Sequence, residues 1–468
     1  MDRGEVPGYE FEVPRGQRYG SGPRHAIGHD PLRELQNPPQ PEREPRSSVL
    51  AASGGVLTVM RKRNWLVGLA APILAAVAVG IAAVVVTGGG GGGGAAPSAL
   101  AAGFPPARLA GASFTGAAGT SRVILTAIGA SAGTEVAAGG VNGGPALWAS
   151  TDGGTSWTRA ALAGPATLTG AGTGQLAGVA HGTAGWLAIG TALAGKGGPV
   201  VASSPDARTW TVTGGIAGKA VAAAVAAGPA GYVIVGRQSA AGSGAAAWYA
   251  PGLTGWHTAV VTGTSGGQMM DAVTATARGF VAVGATGTSP AAWLSATGQT
   301  WRQASVPLPT GAARAALDYV AANGSNVVAA GTEFSATGAS RPFAEVSANA
   351  GTTWTQVQLP VPDIGPGTGT TVTALTAAAG GFTAVGTYVT QAGPEVVVWT
   401  LPPGTPVTGG TGWAAVTPQG KGLASAGAEN AITGLAADGA TLTGVGFTVM
   451  LTAPSVQQPT LWQSPIRY

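Results

Sequence analysis

Carboxylates are the side chains of this sequence that could do hydrolytic chemistry, because two of them can serve as acid and base on a glycosidic bond. After residue 108 the candidates are identified by elimination: Asp271, Asp318, Glu333, Asp363 and Glu395. Neighbouring candidates lie 15 to 47 residues apart along the chain. Hydrolysis would therefore require a fold that brings two distant carboxylates to one place.

Other kinds of chemistry have less support. The 468-residue chain has no cysteine, which excludes disulfides, thiolate metal sites and cysteine nucleophiles. His181 and His257 stand alone, without a His-x-x-x-His pattern or an acidic calcium-binding loop. Ten arginines from Arg108 onward are scattered and the net charge is only +4, so nucleic-acid binding is unsupported. We expect no metal, no cofactor and no nucleic-acid partner.

A short polar turn that ends in tryptophan recurs in the chain. Its copies contain Ser150, Asp152, Gly154 and Trp157; Ser347, Asn349, Gly351 and Trp354; and, in shortened form, Ser204, Asp206 and Trp210, and Ser295 and Trp301. An Asp or Asn in such a turn can bond to its own backbone, and a glycine can adopt a positive φ. We therefore interpret these residues as structural rather than catalytic.

The elements that would position any site are strands in a repeat. An apolar strand that ends in glycine recurs every 46 to 60 residues, and the seven glycines are Gly139, Gly190, Gly236, Gly284, Gly331, Gly386 and Gly446. Four short strands with their turns take about 50 residues, so the spacing indicates a propeller or an array. Strands of small residues precede the glycine strands, as in Val221–Ala227 and Asp271–Ala277, and suit the crowded axis of a propeller.

Tryptophan follows the same repeat. Eleven of the 13 tryptophans fall at two positions of the unit, which are the third strand (Trp148, Trp248, Trp293, Trp399 and Trp462) and the start of the fourth (Trp157, Trp210, Trp256, Trp301, Trp354 and Trp413). A large aromatic side chain at one place per blade fills the gap between twisted sheets. The sequence predicts an all-β, seven-bladed propeller over residues 108–468, with six or eight blades left open because the unit lengths vary.

The turns also carry a family resemblance. Residues 150–157 match the pattern Ser-x-Asp-x-Gly-x-Thr-Trp except for Ser156 before the tryptophan, and this pattern resembles an Asp box. The region from about residue 108 to the end resembles the Asp-box (BNR) propellers of sialidases, sortilin-type receptors and photosystem-assembly factors. The resemblance implies that the boxes lie opposite any active site. A sialidase would also need an arginine cluster, a Tyr/Glu pair and an acid, and no Arg-Ile-Pro motif introduces this domain.

Propeller topology predicts where a ligand would bind. The predicted surface consists of the loops from second to third strands, with Arg237, Glu333, Arg341, Tyr388 and Glu395, and the connections between blades, with Asp271, Arg314 and Asp363. Exposed loops collect charged residues in any case, so the assignment rests on topology alone.

The N-terminal region differs in composition from the rest. Residues 1–63 hold 18 of the 42 charged residues and are predicted to be a disordered cytoplasmic tail. Residues 64–87 contain no charge and predict a transmembrane helix, preceded by Arg61-Lys62-Arg63 on the cytoplasmic side. Residues 88–107 are a Gly/Ala-rich tether. A cleaved signal peptide that begins at Met60 is the alternative, and both interpretations export the remainder.

The two ends of the propeller predict a closure. The last unit has no Trp-led fourth strand, and residues 111–115 belong to no unit. We expect these residues to supply the outer strand of the seventh blade, because this leaves no exposed edge at the seam.

The sequence favours a binding function. We expect a single-pass protein of the cell membrane that contacts the lipid bilayer through residues 64–87 and presents the propeller outside the cytoplasm. It would bind an extracytoplasmic protein or an envelope polymer, since no catalytic constellation is visible. A glycan-acting hydrolase or lyase and a ligand sensor remain alternatives.

Overall fold

The computed structural model describes residues 123–165, 169, 173–192, 199–213, 216, 220–238, 244–263, 267–361, 369–390, 393–410, 412–416, 428–450 and 457–466. The predicted tail, transmembrane helix, tether and closing strand lie outside these residues, as does Asp363. Within the described ranges, no helix is both long enough and apolar enough to cross a bilayer.

The described strands form seven sheets, and each sheet is one blade of a β-propeller. Blade 1 contains β1 (Val123–Ser131), β2 (Thr134–Val141), β3 (Gly144–Ser150) and β4 (Thr158–Arg159). Blade 2 contains β6 (Gly174–Gly182), β7 (Gly185–Ala192), β8 (Pro199–Ser204) and β9 (Thr209–Thr213), with β5 (Ala161–Ala163) at its outer edge. Blade 3 contains β10 (Ala220–Gly228), β11 (Gly231–Gln238), β12 (Ala245–Ala250) and β13 (His257–Thr258).

The second half of the ring repeats this plan. Blade 4 contains β15 (Gln268–Thr276), β16 (Gly279–Thr286), β17 (Ser289–Ser295) and β18 (Thr300–Ala304), with β14 (Val260–Thr262) at its outer edge. Blade 5 contains β19 (Arg314–Asn323), β20 (Asn326–Phe334), β21 (Ser340–Ser347) and β22 (Thr355–Gln358). Blade 6 contains β23 (Thr370–Ala378), β24 (Gly381–Thr390), β25 (Gly393–Leu401) and β26 (Ala414–Val416), and blade 7 contains β27 (Ala428–Asp438), β28 (Thr441–Met450) and β29 (Gln457–Pro465). The prediction of an all-β, seven-bladed propeller is confirmed.

Strand order within a blade is sequential and antiparallel, with two additions that the repeat did not predict. The outer strand of blade 1 is split, and its second piece, β5, pairs in parallel with β9 of blade 2. The outer strand of blade 3 is split in the same way, and β14 pairs in parallel with β18 of blade 4. These short strands cover edges that would otherwise expose unpaired backbone groups.

Each innermost strand has a β-bulge at the same place. The register with the second strand shifts by one residue at Thr126, Ala177, Ala223, Asp271, Asp318, Thr373 and Thr433. We call these seven equivalent positions the bulge ring. A bulge leaves one extra residue unpaired and bends the strand.

The bulge explains the repeated glycine of the sequence. A Cβ on Gly139 would lie closer than 3.0 Å to the carbonyl oxygen of Ile124, two residues before the bulge at Thr126. The same backbone clash would occur at the other six repeat glycines: Gly190, Gly236, Gly284, Gly331, Gly386 and Gly446. Glycine is therefore required opposite each bulge because a backbone carbonyl occupies the space of a side chain.

The core lies between the blades and is organised around tryptophan. The five third-strand tryptophans are at most 2% exposed, as the repeat predicted. Trp148 belongs to a cluster with Val445 and Leu461 of blade 7, and Trp293 to one with Val233 of blade 3. Each of these tryptophans therefore packs against the preceding blade.

Side-chain hydrogen bonds close the ring between blades 7 and 1. The donors and acceptors are Gly133 N to Asp438 Oδ2 (2.5 Å), Thr443 Oγ1 to Glu135 Oε1 (2.7 Å), Gln463 Nε2 to the Gly153 carbonyl (2.9 Å) and Thr433 Oγ1 to the Leu125 carbonyl (3.1 Å). In the described part of blade 7 the sheet has three strands. The seam is thus held by specific polar contacts in addition to its apolar cluster.

Candidate functional site

The propeller has two faces that differ in their connections. On one face, which we call the turn face, lie the hairpins between first and second strands and the turns between third and fourth strands. On the other, the entry face, the innermost strands begin and the second strands turn into the third. The strand ends that carry nominated residues such as Arg341 and Glu395 therefore lie on the entry face, opposite the tryptophan turns.

The turn from Ser150 to Trp157 is closed by its own side chains. Ser150 Oγ donates to Asp152 Oδ1 (2.7 Å) and accepts from Gly154 N (2.8 Å). Ser156 donates to Asp152 twice, through its backbone N (2.9 Å) and its Oγ (2.6 Å). Trp157 Nε1 donates to the Gly154 carbonyl (3.0 Å). The carboxylate is fully engaged in holding the turn.

The other copies use the same contacts with substitutions. In blade 5, Ser347 donates to Asn349 Oδ1 (2.9 Å), which also accepts from Thr353 N (2.9 Å). In blade 2, Trp210 Nε1 donates to the carbonyl of Ala207, which has a φ of 63° in place of a glycine. In blade 4 the corresponding bonds are Gly298 N to Ser295 Oγ (2.8 Å) and Trp301 Nε1 to the Gly298 carbonyl (3.0 Å).

These bonds favour the ionised form of the turn carboxylates. Hydrogen bonds from Ser156 and Ser150 lower the pKa of Asp152 to about 2. Backbone N–H groups of Thr209 and Arg208, with Ser204, lower that of Asp206 to about 2. A carboxylate that is already bonded to its own turn is poorly placed to transfer protons.

On the entry face, the residues nominated as loop residues lie within strands. Arg237 is in β11, Glu333 in β20, Arg341 in β21, Tyr388 in β24 and Glu395 in β25. Asp271 and Arg314, expected between blades, are in the innermost strands β15 and β19. The expected loop positions are thus wrong, because ladder pairing continues almost to the hairpin tips and into the blade entries.

Blade 5 contributes a charged group to this face. Glu333 and Arg341 lie directly opposite each other on β20 and β21. Burial raises the pKa of Glu333, and the charge of Arg341 acts to lower it. Nearby, the guanidinium carbon of Arg314 lies 4.0 Å from the centroid of the Phe334 ring, a cation–π contact. The nominated arginine and carboxylate residues of this blade are therefore brought together.

Blade 6 contributes a tyrosine and a carboxylate in contact. Tyr388 and Glu395 are cross-strand partners, and the Tyr388 hydroxyl donates to Glu395 Oε2 at 2.6 Å. The tyrosine is only 4% exposed. The sequence nominated both residues, but the strand register is what places them opposite each other.

Two carboxyl groups lie deeper, at the axis. Asp271 and Asp318 are neighbours in the bulge ring, on the innermost strands of blades 4 and 5. Desolvation by the surrounding blades raises the pKa of Asp271 to about 7, while Arg237 acts to lower it. Desolvation, with the charge of Asp271, raises the pKa of Asp318 to about 8. These groups can hold protons at neutral pH, which ordinary aspartates do not.

Sequence reasoning missed the buried acid Glu345. It is 0% exposed on β21, and neither carboxyl oxygen has a hydrogen-bond partner in the described part of the chain. Burial alone raises its pKa to about 8. It lies opposite Ala329, at the register where third strands of other blades have tryptophan, as Trp293 opposite Ala282. Alignment of the repeat units would have revealed it.

A polar groove of about 440 Å³ runs along the rim of the entry face at blade 4. Its lining residues are Thr286, Ser289, Pro290, Gln303, Ala304, Ser305 and Val306. Gln303 Nε2 donates to Thr286 Oγ1 (3.1 Å), and Gln303 Oε1 accepts from Gln268 Nε2 (3.2 Å). The groove offers hydroxyls and amides but no charge.

A second cavity lies on the turn face, between blades 5 and 6. It has a volume of about 200 Å³ and borders Asn326, Phe382, Leu401 and Val407. Blade 6 has no polar tryptophan turn here, and a 3₁₀ turn (Val407–Gly409) with flanking prolines occupies the space between β25 and β26. Across the described ranges, no three His, Cys, Asp or Glu side chains are grouped so that they could hold a metal ion.

No protein-family model matches the chain, and no curated protein matches it. Among solved structures, YCF48 from Cyanidioschyzon merolae is 14% identical, over 74% of this chain and 97% of its own, with a TM-score of 0.43. A protein of unknown function from Dyadobacter fermentans is 11% identical, over 74% and 95%, with a TM-score of 0.42. A sialidase from Trypanosoma rangeli is 10% identical, over 73% and 54%, with a TM-score of 0.36. These are similarities of fold, and the seven-bladed assignment rests on the sheets of the chain itself.

Proposed function

We propose that the chain is a membrane-anchored binding module whose entry face recognises an extracytoplasmic protein or envelope polymer. The observation that supports this most is the cluster of charged and polar side chains in the described part of that face. Blades 4 to 6 supply Asp271, Arg314, the pair of Glu333 and Arg341, and Glu395. A rigid propeller that presents clustered charges, an aromatic side chain and a polar groove on one face is suited to recognition.

The turn face has a different role in this proposal. Its tryptophan turns act as Asp boxes, in which the carboxylate of Asp152 and the amide of Asn349 form hydrogen bonds within their own turns. Residues 64–87 anchor the protein in the cytoplasmic membrane, with the N-terminus inside and the propeller outside. The tether of residues 88–107 lets the entry face turn toward a partner in the envelope.

The proposal is tested by crosslinked capture from native membranes with matched variants. Arg314→Ala with Arg341→Ala alters the entry face, and Arg208→Ala with Arg278→Ala removes the same charge from exposed residues of the turn face. A residues 1–104 fragment reports capture by the tail alone. We expect the entry-face variant to lose captured partners while the turn-face variant keeps them. Equal capture by both variants, or by the fragment, would contradict the proposal.

A glycan-acting hydrolase is the second candidate, and two observations favour it. Tyr388 donates to Glu395 at 2.6 Å, and Asp271 and Asp318 retain protons near neutral pH. A protonated carboxyl can serve as a general acid, and a carboxylate can activate a hydroxyl. Incubation of the purified protein with isolated envelope glycan tests this. Released fragments that disappear with Tyr388→Phe and Asp318→Asn, but persist with Asp152→Asn, would establish hydrolysis.

A further inference from the structure

Two threonines of the bulge ring donate hydrogen bonds across the boundary between blades. Thr126 Oγ1 lies 2.9 Å from the Ala138 carbonyl of its own blade and 2.6 Å from the Leu176 carbonyl of the next. Thr433 contacts the equivalent pair, the Val445 carbonyl (3.2 Å) and the Leu125 carbonyl of blade 1 (3.1 Å). Thr126 and Thr433 therefore link two blades by facing two backbone acceptors, whereas Thr373 contacts the Val385 carbonyl of its own blade at 3.4 Å.

Asp271 and Asp318 stand at the same positions of the ring. By the repeat, the acceptors equivalent to those of Thr126 are the carbonyls of Val283 and Leu317 for Asp271. For Asp318 they are the carbonyls of Ala330 and Val372. A carboxylate has no hydrogen to donate, so it would face these oxygens with like charge. A protonated carboxyl has one O–H and can replace the threonine hydroxyl.

The electrostatic surroundings of the two acids favour the protonated form. In the described chain, Arg237 on β11 is the charged group that acts on the pKa of Asp271, and Asp271 is the one that acts on the pKa of Asp318. Arg237 favours ionisation of Asp271 first, and that new negative charge then opposes ionisation of Asp318. The two protons leave as a coupled pair across the neutral and mildly alkaline range.

Their strands connect this chemistry to the entry face. Asp271 is the fourth residue of β15, which begins at Gln268 beside the polar groove. Asp318 is the fifth residue of β19, which begins at Arg314 on the entry face. A change of contacts at the bulge ring therefore acts within a few residues of the proposed binding surface.

Building on the function proposed for the entry face, we propose that Asp271 and Asp318 are protonated hydrogen-bond donors. Asp271 joins blade 4 to blade 5, and Asp318 joins blade 5 to blade 6. Ionisation of these two acids loosens the entry face and weakens partner binding. Each carboxyl releases one proton to solvent, and no other reactant is needed. Partner affinity is thus highest in mildly acidic surroundings and falls as the pH rises.

The test compares the full-length protein with Asp271→Asn/Asp318→Asn, whose amides donate at every pH. Glu395→Gln is the matched control, because it removes a carboxylate of the same face outside the ring. Infrared difference spectra follow the C=O stretch of protonated carboxyls between about pH 5 and about pH 9, a range that spans both raised pKa values. We expect the parent and the control to contain two more protonated carboxyls that titrate in this range than the double variant, which retains Glu345. If the C=O band of protonated carboxyls loses the same intensity in the parent, the control and the double variant, the two acids are already ionised and the proposal is wrong.

Hydrogen exchange then tests the structural consequence without any ligand. At about pH 9, amides of β15 and β19 should exchange several-fold faster in the parent than in the double variant, while β1 and β6 match. Equal exchange rates in the parent and the double variant would show that ionisation does not loosen these strands. If the Asn variant does not fold, Asp271→Thr/Asp318→Thr restores the residue found at three other ring positions. Failure of membrane capture at every pH would refute the binding function alone, since neither spectroscopic readout depends on a partner.

Discussion

Glu345 occupies, in the third strand of blade 5, the register position that Trp293 holds in the third strand of blade 4. Phe343, two residues earlier on the same face of the strand, belongs to the apolar cluster between blades 4 and 5. A carboxyl group therefore replaces a core tryptophan at this interface. Both of its oxygens are buried without a hydrogen-bond partner among the described residues.

The first prediction concerns the stability of this interface. Because the pKa of Glu345 is raised from 4.5 to about 8, folding favours the protonated form, and stability is lost as the pH rises between these values. Glu345→Gln should remove that loss. Glu345→Leu should raise the free energy of unfolding by about 1–3 kcal/mol at neutral pH, since it removes unsatisfied polar atoms. Urea unfolding from pH 5 to 8 measures both effects. Parallel profiles for the parent and the Gln variant would show that this carboxyl does not titrate in that range.

The second prediction concerns the glycines opposite the bulges. A Cβ at Gly236 would clash with the Val221 carbonyl, whereas one at Gly252 in the same blade would meet nothing within 4 Å. Gly236→Ala should cost roughly 3 kcal/mol or more, because backbone cannot move aside as a side chain can. Gly252→Ala should be neutral within about 0.5 kcal/mol. Thermal unfolding compares the two, and similar midpoints would mean that the bulges adapt.

The third prediction uses acid pH. The pKa values of Asp152 and Asp206 are lowered from 3.8 to about 2, so their turns stabilise the fold fully above about pH 4 and lose this contribution as the pH falls through 2. Asp152→Ala should lower the melting temperature near pH 6. Asp152→Asn should lower it less, because Asn349 holds the same turn in blade 5. The difference in melting temperature between the parent and the Ala variant should shrink at about pH 2. A difference that stays constant with pH would contradict a stabilising role for ionised Asp152.

The fourth prediction addresses ring closure. Thr443→Val keeps the shape of the side chain but leaves Glu135 without the hydrogen bond from Thr443 across the seam. The free energy of unfolding should fall by about 1–3 kcal/mol, because the buried Glu135 is left without this hydrogen bond. Thr460→Val, within blade 7, is the control for removal of a hydroxyl away from the seam. If both variants lose the same stability, the seam bond has no special role.

Much of the architecture was predictable from periodicity. The spacing of glycine and tryptophan identified seven units, and the third-strand tryptophans Trp148 and Trp462 are buried between blades as expected. The turn residues were predictable for the same reason, because Ser150 and Asp152 bond within a few residues of themselves. Local hydrogen bonds depend little on the rest of the chain.

The candidate site was predictable only in part. Tyr388 and Glu395 were nominated separately, but their contact depends on a cross-strand register that no local pattern encodes. Asp271 was expected in a connection between blades, and the bulge that surrounds it is visible only as a register shift. The split outer strands β5 and β14 were missed because their partners belong to another blade.

The sequence by itself determined the repeat and the turns, because these follow from composition and from contacts within one unit, whereas the choice among six, seven and eight blades was made by the sheets. Only the tertiary structure decided why the repeat glycines are required and where the acidic side chains lie. Gly139 is required by a carbonyl on a neighbouring strand, and desolvation in the assembled ring raises the pKa values of Asp271, Asp318 and Glu345. Desolvation and close approach arise only when distant segments meet, so no reading along one strand could supply them.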